Sequence, residues 1–186
     1  MARILLGVSG GIAAYKACDI ASRLTRAGHT VDVVMTKNAG EFVTPLTFQT
    51  LTKNRVYTDM FAPSCDFSVE HIALAKRADA VVLAPATANL IGKLACGIAD
   101  DLLTTVLLAA WRKPILLCPA MNTAMYENPA VQENLEKLRA RGIRAITPEE
   151  GPLACGDEGT GRLADPAAIC AAAEEMIMER TEGKAL

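Results

Sequence analysis

The chain has 186 residues, 51% of them hydrophobic and 22% charged, which is the balance of one folded domain and not of a disordered segment. A formal net charge of -2 gives no basic footprint for nucleic acid, and no apolar run approaches the roughly 20 residues that cross a bilayer. The stretch from Met1 to Gly7 is too short for a signal peptide, so no membrane partner is expected and the expected compartment is the cytoplasm.

In chain order, Arg3 to Val8 reads as a first strand, followed by Ser9-Gly10-Gly11 and a helix. That helix places Ala17, Ile20, Ala21 and Leu24 on one face, and Gly28 is suited to end it. Thr30 to Met35 reads as the second strand, with a helix predicted over 38–51 and an irregular connection over 62–69. The apolar runs Ala78–Ala84 and Pro114–Cys118 read as strands three and four, buried on both faces. A helix over 129–141 leads to a weaker strand, Ile143–Ile146. Gly151 to Leu163 holds four glycines in 13 residues and reads as a functional loop. Asp165 and Pro166 open a last helix running to Arg180. The alternation implies an α/β fold, a three-layer doubly wound parallel sheet of flavodoxin or Rossmann-like type. One domain is expected over 1–180, with 181–186 a polar tail or the start of a linker.

Aromatics make up only 4% of the chain, against 32 alanines, so the core must be built from small and aliphatic side chains, with apolar surface to spare for subunit contacts. The six cysteines (18, 65, 96, 118, 155, 170) contain no Cys-x-x-Cys pair, and there are two histidines; no metal site is expected, and most thiols read as small core residues.

Three strand ends carry ligand-like loops. Gly7 to Ala14 departs from the dinucleotide Gly-x-Gly-x-x-Gly spacing, and the second strand ends in Met35-Thr36-Lys37 where a ribose-binding acid would stand. A hydroxyl and a lysine suit a phosphate, although the glycines also suit tight strand–helix packing. Ala84 to Lys93 follows the third strand, with Thr87 either facing a ligand or capping a helix. Cys118-Pro119-Ala120-Met121-Asn122 follows the fourth, where Asn122 is also an ordinary turn residue. Asp100 and Asp101 read as structural acids at a helix start. Met121 and Met125 line a pocket or pack a core, Trp111 ends a helix near a subunit contact, and His29 is exposed.

Together these residues resemble the flavin-containing cysteine decarboxylases, in particular those that act on phosphopantothenoylcysteine. The matching segments are Ser9–Lys16, His71-Ile72, Pro85–Asn89, Gly97–Leu103, Pro119–Met125 and Leu153-Ala154-Cys155-Gly156, in family order across about residues 3–180. Tyr126 stands where some relatives carry tryptophan. The resemblance implies FMN as cofactor, held by Ser9, Gly10, Gly11, Ile12 and Thr36 around its phosphate and by Thr87, Ala88, Asn89, Leu90, Ala120 and Met121 near its ring. It implies His71 as the base assisting thiol oxidation, Asn122 as the holder of the substrate carboxylate, and Cys155 as the proton donor on a lid. Met125 and Ala154 would complete the substrate wall.

The implied reaction oxidises the substrate thiol to a thioaldehyde, loses CO2 to an ene-thiolate and returns hydride to give phosphopantetheine in coenzyme A biosynthesis. No lysine context points to pyridoxal phosphate, so a different electron sink is required, and the resemblance implies that it is the flavin. The resemblance also implies a homo-oligomer, a trimer or trimers assembled to a dodecamer, with flavin between neighbouring subunits, and a phosphopantothenoylcysteine synthetase domain in longer relatives. The alternatives are a peptidyl-cysteine decarboxylase, a flavin prenyltransferase of the same fold, or a non-catalytic flavin-binding regulator. The joint presence of His71, Asn122 and Cys155 without an acidic tail favours catalysis.

Overall fold

The computed structural model describes residues 1–61, 70–152, 156 and 158–183. Six parallel strands form the central sheet: β1 (Arg3–Val8), β2 (Thr30–Met35), β3 (Val56–Tyr57), β4 (Ala80–Ala86), β5 (Ile115–Pro119) and β6 (Arg144–Ala145). Their order is β3-β2-β1-β4-β5-β6, so the chain direction across the sheet reverses between β1 and β4. The crevice above such a switch point is where open α/β sheets bind ligands.

Helices cover both faces, which is why the inner strands are apolar throughout; every residue of β4 is buried. On one face α1 (Ala14–Arg26) packs against α2 (Pro45–Thr52) and α8 (Pro166–Gly183). Ala17 and Ala21 of α1 share that core with Cys170 and Ala173 of α8, so the high alanine content is spent on close helix contacts. On the other face lie α3 (Glu70–Arg77), α4 (Ala88–Cys96), α5 (Leu102–Ala109) and α7 (Pro129–Ala140), with Leu103, Val106 and Leu135 in their core. The short α6 (Thr123–Tyr126) follows β5. Among the described residues no helix is long and apolar enough to cross a membrane.

Four expectations shift. The helix predicted over 38–51 is broken into a 3-10 segment, Lys37–Glu41, and α2. Pro45 is the reason, since it lacks an N–H and is suited to start a helix. The third predicted strand begins later, because the Ala78 N–H still donates to Leu74 at the end of α3 (3.2 Å). His29 is not exposed: its Nδ1 accepts from the Ala2 N–H (3.3 Å), its Nε2 lies 3.6 Å from Glu174, and its side chain is 11% accessible. The Gly-rich loop is in large part an antiparallel ribbon, β7 (Glu149–Pro152) with β8 (Glu158–Arg162). The connection expected over 62–69 lies outside the described residues. Trp111 is exposed, with the Arg112 guanidinium over its ring at 4.7 Å.

Candidate active site

A cavity of about 910 Å³ opens at the carboxyl ends of β1, β2, β4 and β5. Its first wall is the turn Ser9–Ala13. α1 begins there with neither a side-chain cap nor an acidic residue in its first turn; the Ala14 and Lys16 N–H groups bond back to the Gly11 and Ala13 carbonyls, and the positive end of the helix dipole at this turn favours an anion. Gly10 is required by close approach, since a Cβ there would collide with Asn38. Thr36 donates its N–H to Val8 (3.0 Å) and caps the following 3-10 segment by accepting from the Ala39 N–H (3.3 Å). Two strand ends are thus locked into one polar cradle.

Ser9 is buried, and its hydroxyl serves as a brace: it donates to the Pro85 carbonyl (2.7 Å) and accepts from the Thr87 N–H (3.0 Å). It joins the β1 turn to the β4 turn, where Thr87 caps α4 by accepting from the Leu90 N–H (3.3 Å). Ala88, Asn89 and Leu90 follow on the same wall, and Ala120, Met121 and Met125 close the β5 side. Met121 and Met125 therefore line the cavity. Asn122 also faces it, and its Oδ1 accepts from the Ala124 N–H (2.8 Å). That bond fixes the orientation of the carboxamide.

The cradle fits a phosphorylated flavin. It offers backbone donors and a helix N-terminus at one end, an apolar middle of Ile12, Ala13 and Leu90, and enough volume for a ring system with a substrate beside it. The sequence-derived site residues from Ser9 to Met125 meet here, with one exception. His71 sits half-buried in the first turn of α3 and does not line the cavity within the chain. Ala154 and Cys155 lie outside the described residues.

Several charged residues also line the cavity, of which Lys93 and Arg162 were given no role in the sequence reading. Lys16 and Lys37 stand beside the phosphate cradle, Lys93 and Asp101 on the α4–α5 side, and Arg162 on the ribbon. Lys93 donates to both Asp100 oxygens (2.7 and 2.9 Å) and holds that carboxyl below its ordinary range. The segment 97–101 carried the family likeness, but the pairing of Lys93 with Asp100 has no periodic signal in sequence. Cys118, in contrast, is fully buried within β5, and burial pushes its thiol far up; Cys170 is pushed up to about 11 for the same reason. Both are neutral core residues and not nucleophiles.

Ribbon and cavity are joined at Gly161. The Met121 N–H donates to the Gly161 carbonyl (2.9 Å), and a Cβ at Gly161 would collide with the Met121 carbonyl oxygen. Gly159 lies equally close over Thr123. The β8 arm is therefore seated on the β5–α6 loop.

A family model for flavoproteins matches residues 1–178. The chain belongs to the flavoprotein family. Within it, this flavoprotein is 48% identical over 176 residues to the probable phosphopantothenoylcysteine decarboxylase of Streptococcus mutans, covering 94% of this chain and 98% of that protein. It is 52% identical over 185 residues to the coenzyme A biosynthesis bifunctional protein CoaBC of Bacillus subtilis, covering 97% of this chain and 45% of that one. The chain thus spans slightly under half the length of that bifunctional relative. Among solved structures, a PPC decarboxylase variant complexed with pantothenoylaminoethenethiol superposes with a TM-score of 0.81 at 35% identity, over 92% of this chain and 95% of the other. The FMN binding protein AtHal3 superposes at 0.80 with 36% identity, over 92% and 94%.

Proposed function

We propose that this flavoprotein decarboxylates phosphopantothenoylcysteine to phosphopantetheine and CO2, with FMN, as a step of coenzyme A biosynthesis in the cytoplasm. The observation that carries this reading is the cavity itself. An uncapped helix N-terminus and a glycine turn face an oriented carboxamide across one apolar space, in a chain nearly half identical to a probable decarboxylase along its whole length.

FMN, when bound, supplies the two-electron sink that the thiol-to-thioaldehyde oxidation needs and returns the electrons at the end. The chain's own residues do the rest. The α1 N-terminus, Gly10, Gly11 and Thr36 hold the cofactor phosphate, and the β4 and β5 turns hold its ring. Asn122 donates its amide N–H to the substrate carboxylate. A neutral donor orients that group without adding the charge–charge attraction that would oppose its loss. His71 takes the thiol proton. Cys155 gives a proton to the carbon adjacent to the former thioaldehyde carbon.

His71 does not line the cavity in one copy, so the complete site needs His71 from a neighbouring subunit. This supports a homo-oligomer with trimeric contacts, alone or within a dodecamer. Exposed Ile12, Tyr15, Phe42 and Leu46 give it apolar surface. In longer relatives of the bifunctional kind, a synthetase domain supplies the substrate.

The test is direct. The purified chain, loaded with FMN, should show a visible flavin spectrum and release CO2 from phosphopantothenoylcysteine with phosphopantetheine formed in equal amount. The Cys155→Ser variant should release CO2 and stop with the flavin reduced. A protein that takes up no FMN, or releases no CO2 when loaded, overturns the reading.

A further inference from the structure

Four cationic side chains line the cavity: Lys16, Lys37, Lys93 and Arg162. Lys93 is committed to Asp100. Lys16 and Lys37 belong to α1 and to the end of β2, beside the cradle already assigned to the cofactor phosphate. Arg162 is different. It ends β8, which is seated at the end of β5, on the far side of β1 and β4 from Lys37, and among the described residues its side chain makes neither an ion pair nor a hydrogen bond.

Its position is nonetheless firmly held. Gly161, just before it, is bonded to Met121, and Leu163, just after it, is 1% exposed in the core. Across the ribbon, Gly151 makes room for the guanidinium: a Cβ at Gly151 would lie 2.8 Å from Arg162 Nη1. Successive residues of a strand point to opposite faces. Gly161 faces Met121, so the Arg162 side chain leaves the ribbon on the side away from Asn122. Arg162 and Asn122 therefore address different parts of whatever fills the cavity.

We infer that Arg162 is the residue that recognises the phosphate of the substrate. The inference rests on the function proposed above, whose substrate has two anionic ends. One, the carboxylate, is lost in the reaction, and a guanidinium placed on it would stabilise the charge that must disappear. The other, the phosphate, persists through the reaction, and a planar guanidinium matches it with two parallel N–H···O bonds. An unpartnered arginine on a rigid strand end, set apart from Asn122, meets the second need. Arg162 is thus a specificity residue: it selects phosphorylated over unphosphorylated pantothenoylcysteine and takes no part in the bond changes.

The experiment uses the FMN-loaded full chain, wild type, Arg162→Met and Arg162→Lys, with phosphopantothenoylcysteine and pantothenoylcysteine as substrates and FMN titrations read by visible absorbance. Arg162→Met should lower kcat/KM for the phosphorylated substrate roughly 10- to 100-fold, chiefly through KM, as expected for charge-assisted hydrogen bonds. The preference for that substrate over the unphosphorylated one should fall by the same factor. Arg162→Lys should fall between, since it keeps the charge and loses the fork. Equal losses on both substrates, or an undiminished preference, overturn the inference while leaving the decarboxylase reading intact. Weakened FMN binding with the preference retained also overturns it, because the cofactor phosphate would then be the partner. A wild-type protein inactive on both substrates overturns the function itself, and the inference with it.

Discussion

At Gly161 the physical demand is space. The sequence shows four glycines in 13 residues, which reads as a functional loop. The structure uses Gly159 and Gly161 as contact surfaces on Thr123 and Met121. Composition cannot separate the two uses, because a glycine needed for close approach looks the same as one needed for freedom. Gly161→Ala should therefore force the ribbon and the β5–α6 loop apart. Overpacking of this kind costs about 1–3 kcal/mol, and at this chain length each kcal/mol lowers Tm by about 2–4 °C. Because Arg162 follows directly, KM should rise as well. A calorimetric scan and a KM measurement check both, and an unchanged Tm would show that the contact yields without cost. Ser9 teaches the same lesson from the opposite side. Sequence reads it as part of a phosphate loop, and its hydroxyl braces Pro85 and Thr87, partners 76 and 78 residues distant that no local pattern announces.

Among the elements, α5 is the one whose start was most legible. Asp100 and Asp101 read as structural acids, and Asp101 does cap α5: it accepts from the Thr104 N–H (2.8 Å) while the Thr104 hydroxyl accepts from the Asp101 N–H (3.1 Å). Asp101→Ala should cost about 0.5–2 kcal/mol, read as a lower urea midpoint. Asp101→Asn keeps an N-cap acceptor and should restore most of that loss, because Asn caps about as well as Asp. If Asn is as damaging as Ala, the charge of Asp101 toward Lys93, 3.9 Å away, matters more than the cap. The long periodic elements α1, α7 and α8 were legible because their apolar faces repeat. β3, with two residues, and the 3-10 segment before α2 were not, because neither is long enough to carry a period. What fixes β3 is tertiary: Tyr57 is held between the Arg55 and Arg77 guanidinia, and Arg77 also donates to Asp32 (3.0 Å) and to the Tyr57 hydroxyl (2.8 Å).

For the whole molecule, the separation of His71 from the cavity decides how the site must be assembled. Helix α3 leads into β4 through a tight turn and runs back along the sheet, so its first residues stand at the same carboxyl rim as the cavity, but outside its walls. Sequence could bring His71 and Asn122 into one hypothesis because family likeness ignores which copy supplies each residue; in this structure Asn122 lines the cavity and His71 does not. If neighbouring copies share the site, two inactive proteins should repair each other. A His71→Asn variant keeps Asn122, and an Asn122→Asp variant keeps His71. Unfolded and refolded together in equal amounts with FMN, they should form hybrid contacts in which some sites hold both native side chains. Random pairing across a heterologous interface makes about one site in four fully native, so the mixture should recover about a quarter of wild-type activity. Each variant refolded alone should stay inactive while still showing bound flavin. A mixture that binds flavin and assembles, yet remains as inactive as its components, would place His71 and Asn122 within the same copy and require α3 to move toward the cavity when substrate binds.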